Sequence, residues 1–99
     1  MKDYIENINK AFESRIRLGI MSILMVNQSM DFGSVKEMLN ITDGNLASHV
    51  SALEKLGYLE VRKQFVGKKP NTTYLATKEG KKAFTDHLNA LESLIRKTN

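Results

Sequence analysis

The sequence has no cysteine, a single proline and no long apolar run. Without cysteine there is no disulfide framework, no thiolate metal site and no cysteine nucleophile; thiol redox chemistry is excluded, and a reducing compartment fits. The longest mostly apolar stretch, Leu18 to Val26, is nine residues long and broken by Gly19 and Ser22. That is far short of the ~20 residues that cross a bilayer. The opening MKDYIENINK holds Asp3, Glu6 and several asparagines where a secretory leader needs an apolar stretch, so a cytoplasmic protein with no membrane contact is expected. Histidine is scarce too: His49 and His87 stand far apart with no carboxylate-histidine spacing nearby, so no metal and no cofactor are expected. There are no paired carboxylates with a supporting base, no Ser-His-Asp set and no phosphate-cradling glycine loop, which argues against an enzyme.

What is there is an ordinary globular balance, 41% apolar and 26% charged over 99 residues. It suits one compact domain, residues 1–99, and rules out a second. A chain this short buries only ~60–65% of the surface its unfolded form exposes, so a small core plus an oligomer is expected. The net charge of +4 is unevenly spread. Between Lys55 and Lys82 lie eight basic residues and two acidic ones, whereas the rest of the chain carries seven basic and nine acidic. One stretch in the second half is therefore suited to a polyanion.

Along the chain, Ile5, Ile8, Phe12, Ile16, Ile20 and Ile23 recur at spacings of three and four, the mark of one helical face. Ser14 is a cap candidate that would divide an outer helix, residues 1–13, from a core helix. Met30 to Phe32 can supply one short strand. Ser34 and Glu37 have the capping-box spacing, predicting a short helix from about Val35 to Leu39, which Asn40 can end in the left-handed conformation. Thr42 can cap a further helix, Asp43 to Leu56, with Asp43 complementing its dipole and Gly57 its exit. Tyr58 to Val66 and Thr72 to Thr77 read as a hairpin (58–77) around a basic tip, GKKPN, residues 67–71. Thr77 can cap a last helix, residues 78–97, in which Phe84, Leu88, Leu91 and Ile95 form a seam that one small domain does not fully cover. The fold class is mainly α with a small β-hairpin.

On the Asp43–Leu56 helix, Leu46, Val50 and Leu53 define the buried stripe. Gly44, Asn45, Ser48, Ser51 and Lys55 lie roughly across from it. That face is small and polar and ends in one positive charge. Small side chains let a helix sit deep in a major groove ~12 Å wide, Asn45 can pair with adenine through both amide groups, and Ser48 can meet several base edges. Gly44 near the helix start would let backbone amides approach phosphate. His49 sits on the flank of the stripe, and a contact to phosphate or to the neighbouring helix both fit.

The segments SRIRLGIMSIL, DFGSVKEMLNITDGNLASHVSALEKLGYLEV and GKKPNTTYLATKEGKKAF, from about Ser14 to Phe84, resemble winged helix-turn-helix regulators of the MarR and ArsR type. The likeness is to short dimeric members that are little more than that domain. The resemblance implies a helix-turn-helix over residues 34–56, a recognition helix, 43–56, in the major groove, and a wing, 67–71, on the backbone or minor groove. Carried over, it implicates Thr42, Asn45, Ser48 and His49 on the helix, and Lys68, Lys69 and Asn71 on the wing. It further implies that N- and C-terminal helices pair two subunits on half-sites about one DNA turn apart. Ile5, Ile8, Phe12, Phe84, Leu88, Leu91, Leu94 and Ile95 are the candidates for that contact, with Phe12 and Phe84 equally able to complete the core of one copy. The chain departs from the pattern at Ala76, where such proteins commonly have leucine, which loosens the expected wing register.

The expected function is that of a sequence-specific double-stranded DNA-binding transcriptional regulator, in most such proteins a repressor. The competing expectation is a winged-helix interaction module that reads no DNA. Arg62, Lys63, Lys68 and Lys69 on the hairpin count against it. Operator, target genes and any small-molecule effector are left open by the sequence.

Overall fold

The computed structural model describes residues 2–98. Helices α1 (Lys2–Glu6) and α2 (Arg15–Val26) flank a 3-10 turn at Lys10–Phe12. They are followed by β1 (Met30–Asp31), α3 (Phe32–Leu39), α4 (Asp43–Lys55), β2 (Leu59–Val66), β3 (Lys69–Ala76) and α5 (Lys78–Thr98). The strands form an antiparallel sheet of order β1-β3-β2, with Met30 opposite Tyr74 and Leu59 opposite Ala76. The expected order of elements and the mainly α class are both present.

Local chemistry sets most of the boundaries. Ser14 caps α2, its Oγ accepting from the Arg17 amide at 3.3 Å. Asn40 ends α3 at φ 51°, ψ 54°, the left-handed conformation that asparagine tolerates. The start of α3 departs from the capping-box expectation. Asp31, not Ser34, is the cap: its carboxylate accepts from the Ser34 amide at 3.1 Å and from the Ser34 hydroxyl at 2.7 Å. The charged carboxylate takes the Ser34 amide and ties up its hydroxyl, so the helix begins about one turn early, at Phe32. The bond from Ser34 also holds the Asp31 carboxyl below the usual carboxylate range.

The core lies where α2, α4 and the sheet meet. Ile20, Met21 and Leu24 of α2 close against Val35 of α3, Leu46 and Leu53 of α4, and Leu59 and Tyr74 of the sheet. Phe12 and Phe84 join them, ring centroids 5.2 Å apart and nearly perpendicular. Both are almost fully buried in one copy, at 1% and 3% exposure, which removes them from the expected subunit contact. Aromatic rings at helical spacing carry no mark of which surface they will meet, and here the 3-10 turn swings Phe12 inward. Asn9 stitches this end together: its amide N–H donates to His87 Nδ1 and its side-chain NH2 to the Tyr58 hydroxyl, both at 3.1 Å.

The hairpin is tighter and longer than expected. Val66 pairs with Lys69, leaving a two-residue turn, Gly67-Lys68, and Gly67 takes φ +66°. A glycine with positive φ at the first loop position is what a type II′ hairpin turn needs. Lys69, Pro70 and Asn71, expected in a five-residue tip, are strand residues.

Candidate nucleic-acid interface

Helix α4 is built to show one face. Thr42 Oγ1 accepts from the Asn45 amide at 3.1 Å and fixes the first turn. Leu46, Val50 and Leu53 are buried, while Thr42, Gly44, Asn45, Ser48 and Lys55 are exposed. Nothing lies within 4 Å of where a Gly44 side chain would start, so the packing of this chain does not demand glycine there. Asp43 is held by Lys36 of α3 at 2.6 Å, which ties the two helices together and offsets the one carboxylate at this end. Asn45 and Ser48 are neighbours on the surface. Lys55 is not with them: ten residues further on, it sits ~15 Å along the axis.

His49 meets the neighbouring helix. Its Nδ1 accepts from Arg17 Nε of α2 at 3.1 Å, which puts the imidazole proton on Nε2. Burial pushes the imidazole pKa down, and the Arg17 charge pushes the same way. Arg17 was not singled out in the sequence, since its partner is 32 residues away and no local pattern links them.

Between α4 and the hairpin runs an open cleft of about 550 Å3, lined on the helix by Ala47, Ser51 and Glu54 and on the sheet by Val61, Lys63, Thr72 and Tyr74. Strand period decides which wing residues face it. Lys63 pairs with Thr72 and looks into the cleft. Arg62, one residue earlier, points to the other face, where its guanidinium meets Glu60 Oε2 at 3.1 Å. The two are not equivalent: alternation lets only one of them face α4, and Arg62 is already paired. Asn71 and Lys69 share the face of Arg62 by register, and Lys68 occupies the turn. Among the described residues no carboxylate is within ion-pair distance of Lys63, Lys68 or Lys69.

At the other end of the molecule α1 packs on α5. Ile5, Leu88 and Ile95 are exposed there, and Ile8, Leu91 and Leu94 half-buried. Among the described residues no group of acidic or histidine side chains could hold a metal ion, and no helix is long and apolar enough to cross a membrane.

An exposed, small-sided helix beside a basic hairpin is the arrangement of a helix-turn-helix reader, and residues 16–95 match the winged helix DNA-binding domain family. The chain belongs to that family. Its fold is the MarR-type winged helix of transcriptional regulators. The uncharacterized protein MJ0432 of Methanocaldococcus jannaschii is 34% identical over 87 residues, covering 88% of this chain and 95% of that protein. A transcriptional regulator homologue from Pyrococcus horikoshii OT3 superposes with TM-score 0.89 at 27% identity, covering 100% of this chain and 99% of that one. Reduced AbfR bound to DNA shares the fold with TM-score 0.75 at 15% identity, covering 93% of this chain and 66% of that one. In this winged helix, α3 and α4 are consecutive helices joined by a short turn, and β2 and β3 form the hairpin that follows them.

Proposed function

We propose that this winged-helix protein is a cytoplasmic homodimeric repressor that reads a specific double-stranded DNA site and obstructs a promoter. The carrying observation is the exposed polar face of α4, Gly44, Asn45 and Ser48, set by the Thr42 cap on one side and the buried Leu46, Val50 and Leu53 on the other. With α4 in the major groove, Asn45 pairs with adenine and Ser48 with a neighbouring base edge. His49, oriented by Arg17, offers its Nε2–H to a phosphate, and Lys63 and Lys68 follow the backbone along the cleft and wing. The solved structure of AbfR on DNA is a precedent for a duplex held by this fold. Ile5 and Leu88, with the half-buried Ile8 and Leu91, supply the subunit contact. Two copies then set their recognition helices one DNA turn apart, ~34–36 Å.

Affinity for random duplex at several salt concentrations tests the reading, since each neutralised phosphate contributes a slope near −0.9. Lys68→Ala should lower that slope by about one per bound subunit while leaving sequence preference intact. Asn45→Ala should relax preference at one base position by ~1–3 kcal/mol. Equal losses on specific and random duplex would show that Asn45 reads no base. A slope near zero in the wild type would favour the interaction module instead.

A further inference from the structure

Apart from the α1–α5 surface, the most exposed aromatic of the chain stands on the wing. Phe65 is 74% exposed and its neighbour Val66 62% exposed. Pro70, cross-strand from Phe65, is exposed as well. Phe65 follows Leu59, Val61 and Lys63 at strand spacing, on the face that covers the core and then the cleft. By register it therefore stands beyond Lys63, past the end of the cleft that Ala47 and Ser51 of α4 line. The nearest charges on the wing are Lys63, Lys68 and Lys69, none of them ion-paired among the described residues. A second copy offering its own wing would bring the same three cations against them, so charge disfavours self-pairing here and favours a polyanion.

We propose that Phe65, backed by Pro70, is an apolar wedge that the wing presses into the minor groove beside the half-site read by α4. The assignment rests on the DNA-reading function proposed above and adds to it a second source of sequence preference. The groove is about 6 Å wide, and the Phe65–Pro70 pair lies only one pair before the two-residue turn, near enough to the tip to enter it. Lys68 lies along a phosphate wall, and the Phe65 ring meets sugars and the edge of a base step. Opening a step costs stacking energy that is smallest at flexible pyrimidine–purine steps such as TA and CA. Phe65 thus selects a deformable step at a position where no hydrogen bond reads a base.

Selection from a random duplex pool tests this with wild type, Phe65→Ala, Phe65→Leu and Lys68→Ala, each checked for fold by circular dichroism. Wild type should recover a core sequence flanked by a pyrimidine–purine step. Phe65→Ala should keep the core, lose the flanking step and bind the wild-type duplex roughly tenfold more weakly, with little change on random duplex. Phe65→Leu should keep most of the flanking preference, because an apolar wedge remains. Lys68→Ala should weaken all duplexes alike and keep that preference. Recovery of the same flanking step at unchanged affinity by Phe65→Ala would overturn the assignment. So would an altered solution mass for Phe65→Ala at unchanged DNA affinity, which would give the patch to a protein contact. Recovery of no preferred duplex by wild type would overturn the DNA-reading function itself, and the wedge with it.

Discussion

At the scale of single residues, two glycines show how differently the same atom can be received. A Cβ on Gly80 would come 1.9 Å from the Tyr58 carbonyl oxygen and 2.7 Å from its carbon. That is backbone against backbone at the junction of wing and α5, and neither side can rotate away. Gly80→Ala should cost about 3 kcal/mol or more in urea denaturation. On Gly19 a Cβ would meet the end of the Leu39 side chain at 2.6 Å. That methyl can turn aside, and alanine gains about 1 kcal/mol in helix propensity, so Gly19→Ala should stay within about 1 kcal/mol of wild type in the same measurement. Neither demand was legible in the sequence, because both contacts join segments 20 or more residues apart. Asn45 and Ser48 were legible, since helical period alone sets them opposite Leu46 and Val50.

Among elements, the caps carry the most readable instructions. Thr42→Ala should cost about 1 kcal/mol, and Asp31→Ala at least as much, since its carboxylate holds two bonds to Ser34. The acid limb separates them. The Asp31 carboxyl is depressed in the fold, so its stabilisation is present above the ordinary carboxylate range and is lost as pH falls through the folded value. Asp31→Ala should therefore flatten the acid side of the stability profile and Thr42→Ala should not, as thermal melts between pH 2 and 6 would show. Thr42, Thr77, Ser14 and Asn40 were all legible from residue type and spacing. Ser34 misled because two acceptors, Asp31 and Ser34, stood one helical turn apart and the sequence pattern favours the hydroxyl with its Glu37 partner. The wing misled for a related reason: GKKPN has the composition of a loop, yet Pro70 and Asn71 tolerate an exposed strand end, so pairing ran down to a two-residue turn. Alternation, applied residue by residue, would have separated Arg62 from Lys63 and set Phe65 beside the latter.

For the molecule as a whole, the test of the proposed dimer is mass. Leu88 is 46% exposed, so Leu88→Glu should leave the fold intact while giving a monomer by sedimentation. Its binding to a two-site duplex should fall to that of a single half-site. Stability should also follow the histidines. His87 is buried and accepts from the Asn9 amide, and burial lowers its pKa despite the raising influence of Glu13. His49 is lowered as well. In both cases the unfolded chain binds a proton that the fold refuses, so stability is full above about pH 6.5 and declines as pH falls below it. His87→Gln, which keeps an acceptor without the titration, should reduce that decline in melts from pH 7.5 to 5. The root of the wing sets one more property. Thr77 donates its hydroxyl to the Gly57 carbonyl at 2.6 Å and accepts from the Gly80 amide at 2.9 Å, while its own amide donates to the Tyr58 carbonyl at 3.1 Å. Beyond Val61 every residue of β2 is exposed, and on β3 Asn71, Thr72 and Thr73 are half-buried while Lys69 and Pro70 are exposed. Such a ribbon is a cantilever: deflection grows from nothing at Tyr58 to its widest arc at Lys68. In the proposed complex, such a tip follows changes in groove width without prising α4 from its place on the duplex.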